Sequence, residues 1–243
     1  SIPASTTRAA FWLLVVISLA LGYLVIRHLD VGIGDEDVHR FQINWFIEGR
    51  YEIFQYVTVL PVYHLVVAQL AKWTGLVSLD GLRLVHLLFA SAVIPAFYRL
   101  GRALYPREAA SRTLQFLFIP FLFPLYFLTY TDLPALLFVL LMVERTLRNS
   151  YAWAGIFGLV AVAMRQPNIA WVGFAVGLIV LQVAREEIDR GCLVELGKRA
   201  GGLLGAMALF LVFILWNGGI AMGDAEQHPL SLNLSNLYSC LMV

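Results

Sequence analysis

Charged side chains are scarce in this sequence. Asp, Glu, Lys and Arg make up 14% of its 243 residues, 60% are hydrophobic, and the mean hydropathy is +0.78. Soluble domains carry roughly a quarter charged residues, so the composition excludes a soluble domain and indicates an integral membrane protein. The net charge of +1 also argues against a nucleic-acid-binding protein, which would show a basic face.

Cysteine and histidine are also rare. The two cysteines, Cys192 and Cys240, lie in or beside apolar segments at no metal-binding or redox spacing, so we interpret them as packing residues. None of the five histidines has a second one at metal-ligand spacing. The sequence therefore predicts neither a metal site nor a resident cofactor.

Long apolar runs are what the sequence has in abundance. Their lengths suit membrane-spanning helices, which need about 20 apolar residues, rather than β-barrel strands, which alternate over ~10 residues. We predict one all-α, multi-pass membrane domain over 1–243, with spans near 11–28, 82–104, 112–128, 133–147, 151–164, 167–184 and 200–217 and the start of another at 237. The chain begins without Met and ends inside an apolar run, so we expect a processed or partial protein whose first run is a retained anchor.

The basic residues indicate which apolar runs cross the membrane. If the run at 57–74 crossed, the loop that holds Asp35 would lie on the same side as the basic segments 99–112, 145–148 and 185–199, which even numbers of spans separate from one another. The positive-inside rule assigns that side to the cytoplasm. Removing this one crossing keeps the three basic segments on the cytoplasmic side and moves residues 29–81 to the other side.

The removed crossing is better explained by a helix lying on the membrane surface. Pro61 suits a helix start, and apolar residues follow it at helical spacing up to residue 74. The stretch 36–48 has the same amphipathic pattern. We therefore predict two juxtamembrane helices, 36–48 and 61–74, inside one long non-cytoplasmic loop, 29–81.

Four polar segments then fall on the non-cytoplasmic side, although they are scattered in sequence. They are Asp35–His39, "TYTD" (129–132), "RQPN" (165–168) and "GDAEQH" (223–228). An arginine such as Arg165 binds phosphate through a planar head with several donors, and a carboxylate can take the proton of an acceptor hydroxyl. Together these groups suit a transferase that uses a lipid-linked sugar phosphate.

The polar segments also resemble a known family. "GDEDVHRFQ" is similar to the Asp-Glu-x-x-His element of the dolichol-pathway α-1,2-glucosyltransferases, and "TYTD" to their Tyr-Tyr-Thr-Asp. "RQPNIAWV" resembles their Arg-Gln-Thr-Asn-Ile-x-Trp-Val, and "GDAEQHPLSLNLSNLYS" their Gly-Asp-Lys-x-x-His element, in the same order along the chain. A looser likeness extends to the wider GT-C superfamily of membrane transferases, which share a long first loop with two juxtamembrane helices.

The resemblance implies an inverting transfer of a sugar, expected to be glucose, from a polyprenyl-phosphate donor to a hydroxyl of a lipid-linked saccharide. It implies Asp35 as the general base and substrate contacts at Glu36, His39, Tyr130, Asp132, Arg165, Gln166, Asn168, Asp224 and His228. The expected location is the endoplasmic reticulum membrane, or the inner membrane if the protein is bacterial. The expected partners are membrane lipid, both lipid-linked substrates and further membrane proteins. Superfamily members differ in metal use, which keeps a divalent ion held by Asp35 and a substrate phosphate as an alternative.

Departures from the family pattern keep other interpretations open. The family has Thr where this sequence has Pro167 and Lys where it has Ala225, and its Pro-Pro element before the second juxtamembrane helix is reduced to "TVLPVY". A transferase-like structural subunit of a larger complex is therefore the alternative, and a transporter is third because mid-span charges are scarce. Locally, helix capping would explain Asp35, and headgroup contact would explain Arg165.

Overall fold

The described residues, 4–185 and 192–223 of this computed structural model, form helices and no strand. The expected all-α, multi-pass architecture is confirmed. The helices are α1 (Ala4–Ile26), α2 (Glu36–Ile47), α3 (Val62–Thr74), α4 (Leu79–Ser91), α5 (Val93–Leu104), α6 (Ala109–Leu117), α7 (Asp132–Leu147), α8 (Tyr151–Met164), α9 (Ile169–Arg185) and α10 (Cys192–Asn217). The sequence predictions for Asp224, His228, Cys240 and a span starting at 237 lie outside the described residues.

Within the described ranges, four helical segments are long and apolar enough to cross a membrane. They are Ala9–Ile26, Leu79–Leu104, Gln166–Arg185 and Leu193–Asn217. The second consists of α4 and α5, which meet at Ala92 because Pro95 has no N–H to donate to the carbonyl four residues earlier. Helix α8 is apolar but shorter.

The predicted span at 112–128 does not form one helix. Helix α6 ends at Leu117, and a single 3₁₀ turn follows at Phe123–Tyr126. Pro120 and Pro124 lie in this stretch, and each removes a backbone donor and clashes with the preceding turn of a helix. Hydropathy alone did not reveal this break, because both prolines sit among large apolar residues.

The two helices predicted within the first loop are present at nearly the predicted positions, as α2 and α3. Gly75 ends α3 in the left-handed region, with φ of 74°, where glycine is favoured. The two helices pack through Ile43 and Phe46 of α2 and Tyr63 and Val67 of α3, all buried.

Helices α2 and α3 also carry apolar side chains on the faces that point away from the protein, and these side chains are exposed. Phe41 is 49% exposed and Trp73 is 75% exposed. Aromatic side chains of this kind are typical of the membrane–water interface. Each helix therefore has one face for the protein and one that suits a membrane surface.

Contacts between helices define two ends of the bundle. Arg83 near the start of α4 contacts Glu36 at the start of α2, and Asp132 at the start of α7 contacts Arg165 just after α8. Arg99 near the end of α5 contacts Glu144 near the end of α7. We call the first end the cleft end and the second the far end.

A close backbone approach joins α8 and α10. A Cβ added to Gly155 would lie 2.7 Å from the Cα of Gly202. Hydrophobic burial adds little between helices in lipid, so close van der Waals packing of small residues drives their association. This contact holds α10 against the α7–α8 hairpin.

The Gly155→Ala change tests this packing. A methyl group against backbone forces the two helices apart, and we expect a loss of stability of about 1–3 kcal/mol, seen as a lower unfolding temperature in detergent. The matched control is Gly173→Ala in α9, where a Cβ meets nothing within 4 Å; it should be neutral or stabilising, because Ala suits a helix better than Gly. Equal effects of the two changes would contradict the close-packing account.

Candidate active site

A cleft of about 420 Å³ opens at the cleft end of the bundle. It brings together the start of α2, the segment 56–59, the "TYTD" segment and the residue after α8. Its lining includes Asp35, His39, Tyr130, Asp132 and Arg165. Three of the four polar segments singled out in the sequence thus contribute to one cleft.

Asp35 occupies the N-cap position of α2, yet its side chain makes no capping hydrogen bond. The residue is exposed and lines the cleft. Helix capping was the alternative explanation for an acid at this position, but the hydrogen bond that a capping side chain would make to the first turn of α2 is not formed. The carboxylate is therefore accessible to a molecule bound in the cleft.

Tyr130 fixes the backbone at and before Asp35 through two hydrogen bonds. Its hydroxyl accepts a hydrogen bond from the Asp35 N–H at 2.8 Å and donates one to the Ile33 carbonyl at 2.8 Å. Gly34 lies between them at φ of 60°, and a Cβ there would be 2.6 Å from the Tyr130 hydroxyl oxygen. Burial is the main cause that raises the pKa of Tyr130, so the hydroxyl keeps the proton that it donates.

Glu36, the next residue, forms an ion pair with Arg83 that is fully buried on both sides. Arg83 donates from Nε to Oε1 at 3.0 Å and from Nη2 to Oε2 at 2.8 Å. The same guanidinium donates to the carbonyls of Leu29 at 2.6 Å and Val31 at 2.9 Å. It therefore ties α4 to α2 and to the chain that follows α1.

The remaining acceptor capacity of Glu36 is used by the "TYTD" segment and by the preceding turn. Thr129 donates to Oε1 from its backbone N–H at 3.1 Å and from its hydroxyl at 2.9 Å, and Ile33 donates to Oε2 at 3.2 Å. Burial acts to raise the pKa of Glu36, but the bonds from Arg83 and Thr129 and the charge of Arg83 outweigh it and lower the pKa. Glu36 was predicted to contact substrate; the structure places it instead as a buried anion that joins three segments.

His39 lies one turn after Asp35 and lines the cleft. Its Nδ1 is 2.9 Å from Nε2 of His64, a buried residue of α3. Burial lowers the pKa of His39 to about 4, against the opposing effect of Asp35, and burial lowers the pKa of His64 well below its usual value. Both rings are thus neutral near pH 7, and one donates to the other.

Asp132 and Arg165 form an ion pair at the centre of the cleft end. Arg165 lines the 420 Å³ cleft and also a second cleft of about 330 Å³, whose other walls are mainly apolar and include Leu122, Leu133 and Leu136. A guanidinium between a polar and an apolar cleft suits a ligand with a charged head and a hydrocarbon tail.

Gln166 and Asn168 direct their side chains to backbone groups. The Gln166 amide donates to the carbonyls of Thr58 and Ile220 at 3.1 Å each and accepts from Leu60 N–H at 3.3 Å. Asn168 donates to the Ala161 carbonyl at 2.9 Å. Both were predicted to contact substrate. In the structure the buried Gln166 holds the cleft wall in place, whereas Asn168 closes the end of α8 and also lines the second cleft.

Sequence reasoning missed the buried polar partners behind the cleft. Arg83, His64 and Tyr63 carry the network, and the Tyr63 hydroxyl lies 2.7 Å from Nδ1 of His86. His86 Nε2 is 2.9 Å from the Leu125 carbonyl, which only accepts, so Nε2 carries the proton and Nδ1 accepts from Tyr63. The available signal was an ionisable residue within an apolar run, which usually has a specific partner.

Metal ligands are not clustered in the part of the chain that the structure describes. Among residues 4–185 and 192–223, no group of three or more His, Cys, Asp or Glu residues is placed to hold an ion.

Comparison with known families identifies the relatives of this arrangement. Residues 29–199 match the model of the DIE2/ALG10 family. The chain belongs to this family. The match includes the "GDED", "TYTD" and "RQPN" segments that meet in the cleft.

Curated relatives of the chain share one name. Proteins named Dol-P-Glc:Glc(2)Man(9)GlcNAc(2)-PP-Dol alpha-1,2-glucosyltransferase are similar at 28% identity in Rattus norvegicus and at 26% in Drosophila melanogaster and in Homo sapiens, over 84% of this chain in each case. The chain spans about half the length of these relatives, 53–54%. No solved structure matches it.

The buried ion pair gives a test of the role assigned to Glu36 in this family member. Arg83→Met should leave an unpaired buried carboxylate and lower stability by about 3–5 kcal/mol. Adding Glu36→Gln removes that charge and should recover much of the loss. Both are measured as unfolding temperatures of the detergent-solubilised protein.

The control for this test is an exposed ion pair on the same loop. Arg50 and Glu48 are 3.3 Å apart with side chains 62% and 53% exposed, and pairs of this kind contribute about 0–1 kcal/mol. Arg50→Gln should therefore change the unfolding temperature little. An Arg83→Met protein as stable as Arg50→Gln would show that the buried pair does not organise the cleft end.

Proposed function

We propose that this protein is an inverting membrane glucosyltransferase. It moves glucose from a polyprenyl-phosphate donor, of the dolichyl type, to a hydroxyl of a lipid-linked saccharide. The names of the relatives support this donor and acceptor class. The observation that carries the proposal is that the Asp35 carboxylate and the Arg165 guanidinium line one cleft.

The two neighbouring clefts match the two parts of such a donor. Its phosphate would bind Arg165, through charge-assisted hydrogen bonds. The first isoprenoid units would lie in the apolar cleft beside Leu133 and Leu136, which shares Arg165 with the polar cleft. The sugar and the acceptor would then occupy the polar cleft with Asp35.

The proposed step is a single displacement. The acceptor hydroxyl gives its proton to Asp35 while its oxygen attacks the anomeric carbon from the face opposite the phosphate. The bond from the anomeric carbon to the phosphate oxygen breaks, and its electrons stay on the leaving polyprenyl phosphate. A β-linked donor thus yields an α-linked product.

Ground-state contacts place the two reacting groups in advance. Tyr130 fixes the backbone of Asp35, and Asp132 pairs with the Arg165 side chain, so the backbone of the base and the guanidinium are positioned before substrate binds. Prior orientation of this kind supplies a large part of many rate enhancements. The proposed step uses no resident metal or cofactor.

We place the cleft end on the lumenal side of the endoplasmic reticulum membrane. Arg99, Arg145 and Arg148 lie together at the far end, and basic residues favour the cytoplasmic side. Donor phosphate at the membrane surface and acceptor saccharide from the lumen would then meet in the cleft.

Replacement of the proposed base tests the chemistry. Asp35→Asn keeps the shape but removes the proton acceptor, so turnover should fall about 10²–10⁴-fold with donor affinity unchanged. Glucose transfer from the dolichyl-phosphate donor by the purified protein is the measurement. Asp37→Asn, two residues away and paired with Arg40, is the control and should stay active. Full activity of Asp35→Asn would refute the base assignment, and an inactive but folded unmodified protein would favour the structural-subunit alternative.

Replacement of the arginine tests donor binding separately. Arg165→Ala removes charge-assisted bonds worth roughly 1.5–3 kcal/mol, so the donor should bind about tenfold or more weakly in a direct binding assay. Arg165→Lys keeps the charge without the planar head, so its donor affinity should lie between those of the unmodified protein and Arg165→Ala. Unchanged donor affinity in Arg165→Ala would contradict this role and favour the alternative that Arg165 contacts lipid headgroups.

A further inference from the structure

A second charged cluster lies at the far end of the bundle, away from the cleft. Glu144 in the last turns of α7 is 1% exposed, and Arg99 of α5 donates from Nη2 to both its oxygens at 3.0 Å. Arg148 Nε lies 2.9 Å from Oε1, and Arg145 Nε lies 3.7 Å from Oε2. We call these four residues the far-end cluster.

The far-end cluster carries more positive charge than its buried carboxylate needs. Three guanidinium groups, which stay protonated in proteins, surround one carboxylate, so the local charge is +2. One close arginine would be enough to compensate a buried carboxylate. The excess is concentrated on side chains that three contacts to Glu144 hold together.

These arginines also retain hydrogen-bond donors. Among the described residues, the Arg99 side chain donates hydrogen bonds from Nη2, and Arg148 has its ion-pair contact with Glu144 at Nε. The two side chains are 47% and 54% exposed. The Nε of Arg145 is buried and has no hydrogen-bond partner within the described ranges. The far-end cluster therefore combines unused guanidinium donors on three arginines with one buried donor, Arg145 Nε, that lacks a hydrogen-bond partner.

The position of the far-end cluster indicates which acceptor would reach it. The candidate span Leu79–Leu104 ends here, and Leu104 and Tyr105 beside it are 51% and 50% exposed. Twelve residues of α7 separate Glu144 from Asp132, about 18 Å at the helical rise, so this is not part of the cleft. A ligand at this point meets a membrane boundary and apolar side chains together.

We propose that the far-end cluster binds the phosphate headgroup of an anionic membrane phospholipid. Guanidinium forks match phosphate oxygens in geometry and charge, and basic pockets between helices on the cytoplasmic side suit such headgroups. The acyl chains would run from the headgroup toward the bilayer centre, along the apolar side chains of α5 and α7 that precede Arg99 and Glu144. This site is independent of the proposed transferase activity.

Retention of lipid by the purified protein tests the proposal. With phosphatidylglycerol as the probe and native mass spectrometry as the readout, the unmodified protein should bind it at least tenfold more tightly than phosphatidylcholine. Arg148→Gln and Arg145→Gln should each weaken phosphatidylglycerol binding about tenfold, the loss expected for one charge-assisted contact. Inorganic phosphate at equal concentration should not displace the lipid.

A matched control separates this site from general attraction to a basic surface. Arg107→Gln removes one exposed positive charge from the same end without touching the far-end cluster and should change affinity less than twofold. Arg148→Lys keeps the charge, serves if Arg148→Gln fails to fold, and should bind with intermediate affinity. Equal weakening by Arg107→Gln, equal binding of the two lipids, or displacement by inorganic phosphate would overturn the proposal.

Discussion

The cleft end of this molecule depends on one buried ion pair, Glu36 with Arg83. Desolvating two charges is costly unless their remaining hydrogen-bonding groups are also satisfied, and here the donors come from the "TYTD" segment and the acceptors from the chain after α1. The hydrogen bonds of the pair are therefore complete only when four segments are in place: α2, α4, the "TYTD" segment and the chain after α1. Because Asp35 directly precedes Glu36, fixing the buried carboxylate also fixes the exposed one.

Polar contacts at the cleft end do work that apolar packing cannot do in lipid. Helices in a bilayer gain little from hydrophobic burial against each other, so their relative positions must come from close packing or from hydrogen bonds. The "TYTD" segment connects the neighbouring segments by polar contacts. Thr129 binds Glu36, Tyr130 binds the backbone of Asp35, and Asp132 binds Arg165. Polar segments that are far apart in the sequence are thus joined into one site by these contacts.

Charge parity and periodicity predicted much of this arrangement, including α2 and α3 to within one residue and the shared cleft of Asp35 and Arg165. They failed where a residue's role depends on a contact partner that is distant in the sequence. The sequence shows Glu36 beside Asp35 and an arginine in an apolar run, but only the fold shows that Glu36 pairs with Arg83. In α2, Phe41 is half exposed while Ile43 and Phe46 face the protein, because an interfacial helix has two apolar faces and the sequence pattern does not rank them.

The bond from the Gln166 amide to the Ile220 carbonyl bears on how the protein is made. A ribosome delivers the chain from its N-terminus, so the segment at 56–58 and the residues after α8 emerge well before α10 has been inserted. Only then can Gln166 reach Ile220 and Met222 N–H reach the Thr58 carbonyl at 3.1 Å. The cleft wall is therefore completed late in membrane insertion, after both Asp35 and Arg165 have already been synthesised.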